Sequence, residues 1–297
     1  MKESGSERVI QIFIIFCLII LSFLCIFPIY NSVVLSFNDG KDALNGGIYF
    51  WPRKFTLDNY KVIFSDNSMF RAFGITVART VIGTTISVIV TSMFAFAMSK
   101  KELIGGKIYI RMCIVTMYFA GGLIPTYLLI RGLHLNNNFL VFILPGIVSV
   151  WNMIIFRSFF SQIPESLEES ARIDGCNYIT AFFKIIIPVS KPVYASLALF
   201  TAIVHWNDWF TASIYITDKN LLPIQTLLNQ KINAASAMEQ LASQSSNAAA
   251  FVSSFGGVTS KAVILSSMVV ATLPIIIVYP FAQKYFAQGI MLGSVKG

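Results

Sequence analysis

Six apolar stretches, roughly 10–37, 72–98, 108–130, 139–156, 192–216 and 262–286, take up about half of this 297-residue chain. A helix rising 1.5 Å per residue needs about 20 mostly apolar residues to cross a hydrocarbon core about 30 Å thick. In that core every backbone N–H and C=O must be paired within the protein, which leaves helices and closed barrels as the spanning structures. The stretches are long and continuous rather than alternating, so they predict an all-α integral membrane protein with six transmembrane helices. Pro28, Pro125, Pro145, Pro274 and Pro280 fall inside them; buried membrane helices tolerate proline where neighbours satisfy the freed backbone groups. The first stretch follows Lys2 and Arg8 like a signal peptide. It is longer than an h-region of about 7–15 residues and lacks a small-x-small cleavage site, so it reads as a retained first span.

Composition excludes the main alternatives. Only 12% of residues are charged and 56% are hydrophobic, against about 25% charged in soluble domains, which rules out a soluble enzyme, a disordered chain and a nucleic-acid module. The formal charge of +8 comes from 22 basic residues scattered among apolar runs. No basic face results, so the expected partner of this charge is anionic lipid headgroups rather than nucleic acid. Cys17, Cys25, Cys113 and Cys176 have no paired spacing and suggest neither a disulfide framework nor a zinc site.

Basic residues set the orientation. With both termini in the cytosol, the inner segments 1–9, 99–111, 157–191 and 284–297 carry twelve Lys and Arg, against nine in the longer outer segments 38–71, 131–138 and 217–261. This bias follows the positive-inside rule, and the short loop from Lys100-Lys101-Glu102 to Lys107 is its clearest marker. In the second outer loop, Asn233–Ala250 is rich in Ala, Ser, Asn and Gln, a composition that suits a helix or a flexible linker equally.

The inner segment 163–192 is the most informative. Ser166 followed by Glu169 gives a Ser-x-x-Glu capping box, with Glu168 and Glu169 in the first turn where the helix dipole favours anions. This helix is expected to run to Asp174 and stop at Gly175, a residue free to take the left-handed conformation. A second helix, about 177–187, places Tyr178, Ala181, Phe182 and Ile185 on one stripe. Pro188 is expected to end it and Pro192 to open the fifth span. Two turns of helix are unstable alone in water, so the first helix must pack against its own spans or a partner.

The spacing carries a resemblance. Glu169-Ser170-Ala171, three residues, Gly175, nine residues, then Ile185-x-Ile187-Pro188 resembles the E-A-A-x3-G-x9-I-x-L-P signature of membrane subunits of ABC importers. Ser170 stands for an alanine and keeps the small size that helix docking needs, and Ile187 stands for a leucine. Ile124-Pro125-Thr126-Tyr127, Leu144-Pro145-Gly146, Asn152-Met153-Ile154-Ile155, Arg157-Ser158-Phe159-Phe160 and Trp206-Asn207-Asp208-Trp209 are similar to the carbohydrate-uptake type 1 branch, which includes six-span maltose permeases and the permeases of oligosaccharide and polysaccharide-fragment importers.

The resemblance implies one permease domain over 1–297 in a bacterial plasma membrane, importing oligosaccharides or polysaccharide fragments by alternating access. It implies a second, similar permease, an extracytoplasmic sugar-binding protein, and a cytosolic ATPase dimer that holds ATP and magnesium, with no cofactor on this chain. Ser166, Glu168, Glu169, Ser170, Ala171, Asp174, Gly175 and Pro188 would then form a coupling loop docked on the ATPase. The cluster His205, Trp206, Asn207 and Asp208, with Asn152, supplies the candidates for the sugar path or for contact with the binding protein, since aromatic faces beside hydrogen-bonding groups suit sugar rings. An aromatic belt at the membrane interface accounts for the tryptophans equally well. Arg79, inside the second span, is expected to snorkel outward or to line a cavity. No G-x-x-x-x-G-K-[ST] loop, metal-ligand spacing or nucleophile–base pair is present, so the chain is expected not to be an enzyme. The competing class is a stand-alone secondary transporter or channel, but the sequence lacks the chain of acids or histidines that ion coupling needs.

Overall fold

The computed structural model describes residues 5–65, 67–244 and 259–294. They form helices α1 (Gly5–Ser36), α2 (Gly40–Leu44), α3 (Asp58–Ser65), α4 (Asn67–Ser99), α5 (Gly106–Tyr118), α6 (Leu123–Gly132), α7 (Val150–Phe160), α8 (Glu165–Ile173), α9 (Tyr178–Val189), α10 (Lys191–Asn207), α11 (Phe210–Tyr215), α12 (Ile224–Gln244) and α13 (Ser260–Ser294). Helix α12 takes up the first part of the Ala- and Gln-rich tract; residues 245–250 of that tract lie outside the described residues.

α1, α4 and the Lys261–Pro280 part of α13 are long and apolar enough to cross a membrane. The other three expected spans are not straight helices. The stretch 108–130 is α5 and α6, set at 111° to one another. The break falls at Gly122, whose φ of 85° and ψ of 177° are open essentially to glycine. Pro125 then costs no bond, because it is the third residue of α6, where N–H groups have no partner inside the helix. The stretch 139–156 begins with two 3₁₀ segments, Phe139–Phe142 and Leu144–Gly146, bent by 49° from α7. The stretch 192–216 stops at Asn207, where Asp208 turns extended, and resumes as α11.

The chain forms two compact units, residues 1–67 with 228–273 and residues 68–227 with 274–297. In the second, α4 buries a face of small residues: Gly83, Ser87, Thr91 and Ala95 at four-residue spacing, with Thr76 seven residues before Gly83. Lipid supplies no hydrophobic drive to pair helices, so close approach of small residues and interhelical hydrogen bonds take over. The hydroxyls of α4 serve the broken stretch beside it. Ser87 Oγ donates to the Gly146 carbonyl (3.1 Å), and Thr91 Oγ1 accepts from the Ser149 N–H (3.1 Å). These bonds satisfy backbone that a straight helix would have satisfied itself, which is the condition for irregular backbone at membrane depth. A packed cluster of Phe96, Met153, Phe156, Phe160, Phe182, Ile186 and Leu197 joins α4, α7, α9 and α10.

In the first unit, two buried asparagines close the end of α1. Asn59 Nδ2 donates to the carbonyls of Ser36 and Asn38, both at 2.9 Å, and Asn38 Oδ1 accepts from the Lys54 N–H. Ser266 Oγ of α13 also donates to Ser36 (3.2 Å). The last carbonyl of α1, unpaired in an isolated helix, is thereby satisfied.

Candidate functional site

The segment 163–192 folds as two helices joined by a tight turn, and its caps differ from the sequence expectation. α8 begins one residue before Ser166, with Pro164 at the N-cap and no side-chain cap. Proline's fixed φ suits entry into a helix, and the Pro164 carbonyl accepts from the Leu167 N–H. The Ser166–Glu169 capping box therefore does not form. Glu165 and Glu168 occupy the first turn, and Glu169 lies on the second. At the other end the expectation holds: Asp174 is the C-cap and Gly175 has φ +82°. The Cys176 N–H bonds the Ala171 carbonyl and the Gly175 N–H bonds that of Arg172, the two bonds of a Schellman motif.

α9 starts at an Asn177 cap whose side chain accepts from the Thr180 N–H, but it contains a π-helical turn over Phe182–Ile186. A π turn holds an extra residue, so the buried stripe is Ala181, Phe182 and Ile186, in place of the expected Ile185, and Tyr178 is exposed. Pro188 does not end the helix, which runs to Val189. Proline lacks an N–H and its ring presses on the carbonyl four residues back; the wide turn before it lets the helix continue. The chain then bends by 86° into α10, with Pro192 in its first turn.

Two lysines that the sequence reading used only for orientation hold α8 in place. Lys100 pairs with Glu168, and its ammonium lies 4.0 Å from the centre of the Phe96 ring. Lys101 pairs with Glu165 at 2.6 Å. The hydrogen bond from Lys101, then its charge, holds the Glu165 carboxyl below the usual carboxylate range, and the same contact raises Lys101. With Glu168 and Ala171 turned toward the protein, Ser166, Glu169, Ser170 and Ile173 form the exposed face of α8, and Ile173 is 87% exposed. The Ser170 hydroxyl is satisfied within the helix by the Ser166 carbonyl (2.8 Å).

Arg79 neither snorkels nor lines a cavity. It is 1% exposed, its Nη2 donates to Asp208 Oδ2 at 2.8 Å, and its guanidinium carbon lies 4.8 Å from the centre of the Phe142 ring. The second Asp208 oxygen accepts from the Thr211 N–H (3.0 Å), capping the start of α11. One turn further along α4, a Cβ on Gly83 would lie 2.8 Å from His205 ring atoms. Trp206 is buried edge-on to Phe73 and lines an apolar recess of about 210 Å³ with Val77, Val81, Ala202 and Ile275. Asn152 Nδ2 donates to Thr201 Oγ1 of α10 (3.1 Å). The structure therefore gathers His205, Trp206 and Asp208 against α4 and sets Asn152 apart. It leaves Asn207 exposed, its Oδ1 3.5 Å from Gln225 Nε2. Arg79 carries a signal, since a charge inside a span is rare, but its partner lies 129 residues away. Among the described residues no group of three or more His, Cys, Asp or Glu is placed to hold a metal ion.

A helical membrane chain with broken spans, and a capped surface helix clamped beside them, belongs to the class of multi-span transport components. The chain is a member of the family of binding-protein-dependent transport system inner membrane components, whose model matches residues 5–292. It is 37% identical to the polygalacturonan/rhamnogalacturonan transport system permease protein YtcP of Bacillus subtilis (strain 168), over 98% of this chain and 100% of that protein. It is 27% identical to the trehalose/maltose transport system permease protein MalG of Thermococcus litoralis, over the full length of both. A crystal structure of a bacterial ABC transporter involved in the import of the acidic polysaccharide alginate contains a chain of similar fold. Its TM-score is 0.85 at 27% identity, covering 96% of this chain and 99% of that one.

Proposed function

We propose that this permease subunit imports oligosaccharides or polysaccharide fragments across a bacterial plasma membrane. Its segment 163–192 serves as the coupling loop to a separate ATPase dimer. The observation that carries the substrate class is the end-to-end similarity to a polygalacturonan/rhamnogalacturonan permease. The coupling role is supported by the geometry of α8, whose inner face carries the Lys100 pair and the buried Ala171 while Ser166, Glu169, Ser170 and Ile173 face outward.

In this reading the chain is not catalytic. ATP and magnesium are held by the ATPase, an extracytoplasmic sugar-binding protein delivers the substrate, and a second, similar permease completes the path. Both termini are cytosolic and six spans cross the membrane, at about 10–37, 72–98, 108–130, 139–156, 192–216 and 262–286, with the third, fourth and fifth broken. Ser166, Glu169, Ser170 and Ile173 present the docking face, and Gly175 sets the turn behind it. Glu168 acts from within, by fixing α8 to Lys100. Asn207 is the candidate that remains open to a passing sugar. His205, Trp206, Asp208 and Asn152 act one step back, by holding α10 and α11.

The test is uptake of labelled oligogalacturonides and of maltotriose into proteoliposomes containing the assembled importer, with and without Gly175→Asp. Aspartate at φ +82° is strained, and the turn opens to space where no side chain would clash. The mutant is therefore expected to assemble its spans but to lose ATP-driven uptake. Full uptake by the mutant would overturn the coupling role. Failure of the wild type on both sugars would overturn the substrate class.

A further inference from the structure

The segment after α1 folds back along that helix. Phe37 and Asn38, at the end of α1, are tied to the returning chain by the Asn38–Phe55 bridge and by the bond from the Thr56 N–H to the Phe37 carbonyl. Between these ties the chain doubles back along α1. Asn31 Nδ2 donates to the carbonyls of Ile48 (2.9 Å) and Tyr49 (3.1 Å), and Tyr30 Oη donates to that of Phe50 (2.7 Å). The Phe50 ring meets that of Phe27 at 5.8 Å.

These contacts fix a depth. Ser36 is the last residue of α1; at 1.5 Å per residue, Tyr30 lies about 9 Å and Phe27 about 13 Å below it. Four extended residues, from Phe55 back to Trp51, reach about 13 Å, so the chain has the length to get there. α1 is apolar from Val9 to Ile29 apart from Gln11 and Ser22, and the first run of consecutive hydrogen-bonding side chains after Val9 is Tyr30-Asn31-Ser32. A run of that length matches the hydrocarbon thickness of about 30 Å, so its edge falls at Tyr30. The tip of this returning segment is level with that edge. The tip residues Tyr49, Phe50 and Trp51 are all exposed, Trp51 at 80%. Lys41, Arg53 and Lys54 lie on the parts of the loop nearer the helix end. Aromatic side chains at the hydrocarbon boundary with basic residues above them match the layering of a membrane interface.

We propose that residues 46–55 form a lipid anchor, with Trp51 inserted in the interfacial layer of the leaflet reached by the C-terminal end of α1. The bonds to Tyr30 and Asn31 make anchor and span one rigid piece, so the anchor sets the height of the helix end in the bilayer. The depth follows from α1 alone. The assignment to the outer leaflet rests on the proposed cytosolic N-terminus.

The test uses the assembled importer in phosphatidylcholine proteoliposomes, with acyl chains brominated at carbons 6 and 7 or at 11 and 12. The Trp51 component is taken as wild-type fluorescence minus that of Trp51→Phe, a change at an exposed site. It is expected to fall about twofold in the shallow-brominated lipid and much less in the deep one. A component unchanged by either lipid would place Trp51 in water or under a protein partner and overturn the proposal; stronger quenching by the deep lipid would overturn the assigned depth. The leaflet is read separately, from labelling of Lys54→Cys by an impermeant maleimide in right-side-out vesicles. Labelling only after permeabilisation would overturn the topology while leaving the anchor intact.

Discussion

At the scale of single residues, the Arg79–Asp208 pair carries the clearest energetic consequence. A buried guanidinium is tolerated because a carboxylate meets it and the face of Phe142 receives it. Removing one partner strands the other charge, which typically costs about 3–5 kcal/mol, whereas replacing both with apolar groups of similar shape is often neutral or better. Asp208→Ala is therefore expected to lower the thermal midpoint of the detergent-purified protein sharply, and Arg79→Met with Asp208→Leu to recover most of the loss. A single mutant as stable as wild type would contradict the pairing. The sequence marks Arg79 as unusual by its depth alone. Which acid it meets depends on the antiparallel register of α4 and α10, and Gly83 records the same register by making room for His205.

At the scale of elements, the two helices of 163–192 were legible in type but not in detail. Gly175 announced its turn because few residues other than glycine accept φ +82°. The start of α8 differs from the expected Ser166 cap because Pro164 sets the entry, which leaves Ser166 an ordinary helical residue. The shift from Ile185 to Ile186 could not be foreseen, since a period of 3.6 residues leaves no place for a π turn. Contact with the end of α4 is testable by titration. Glu165 is depressed, so its pairing with Lys101 is intact above the ordinary carboxylate pKa and is lost as pH falls through the lowered value. Lys101 is raised, so the same contact is lost at the alkaline end only as pH climbs through that raised value. In Lys101→Gln the Glu165 carboxyl is expected to titrate at higher pH than in wild type, measured by infrared absorption of the carboxylate against a Glu165→Gln control.

At the scale of the whole molecule, the question is whether the α5–α6 pair, bent by 111°, still crosses the membrane. The six-span reading requires it to, because the Lys-rich loop before α5 and the turn after α6 must then lie on opposite sides. Cysteines introduced at Ile104 and His134, both exposed, separate the alternatives. With an impermeant maleimide in intact cells, His134→Cys is expected to label at once and Ile104→Cys only after permeabilisation. Labelling of both from one side would make the pair re-entrant and remove a span from the count.

Residue order alone specifies a helical membrane protein and picks out the loop that resembles a coupling loop, because hydropathy, proline and glycine act over a few neighbouring residues. It does not determine where the helices break or how the breaks are tolerated. Those depend on hydrogen bonds between residues far apart in the chain: Ser87 with Gly146, Thr91 with Ser149, Arg79 with Asp208, and Tyr30 with Phe50. In lipid, an unpaired backbone group is costly wherever it lies. Whether a break survives is therefore decided by what packs beside it, and only the tertiary structure supplies that neighbour.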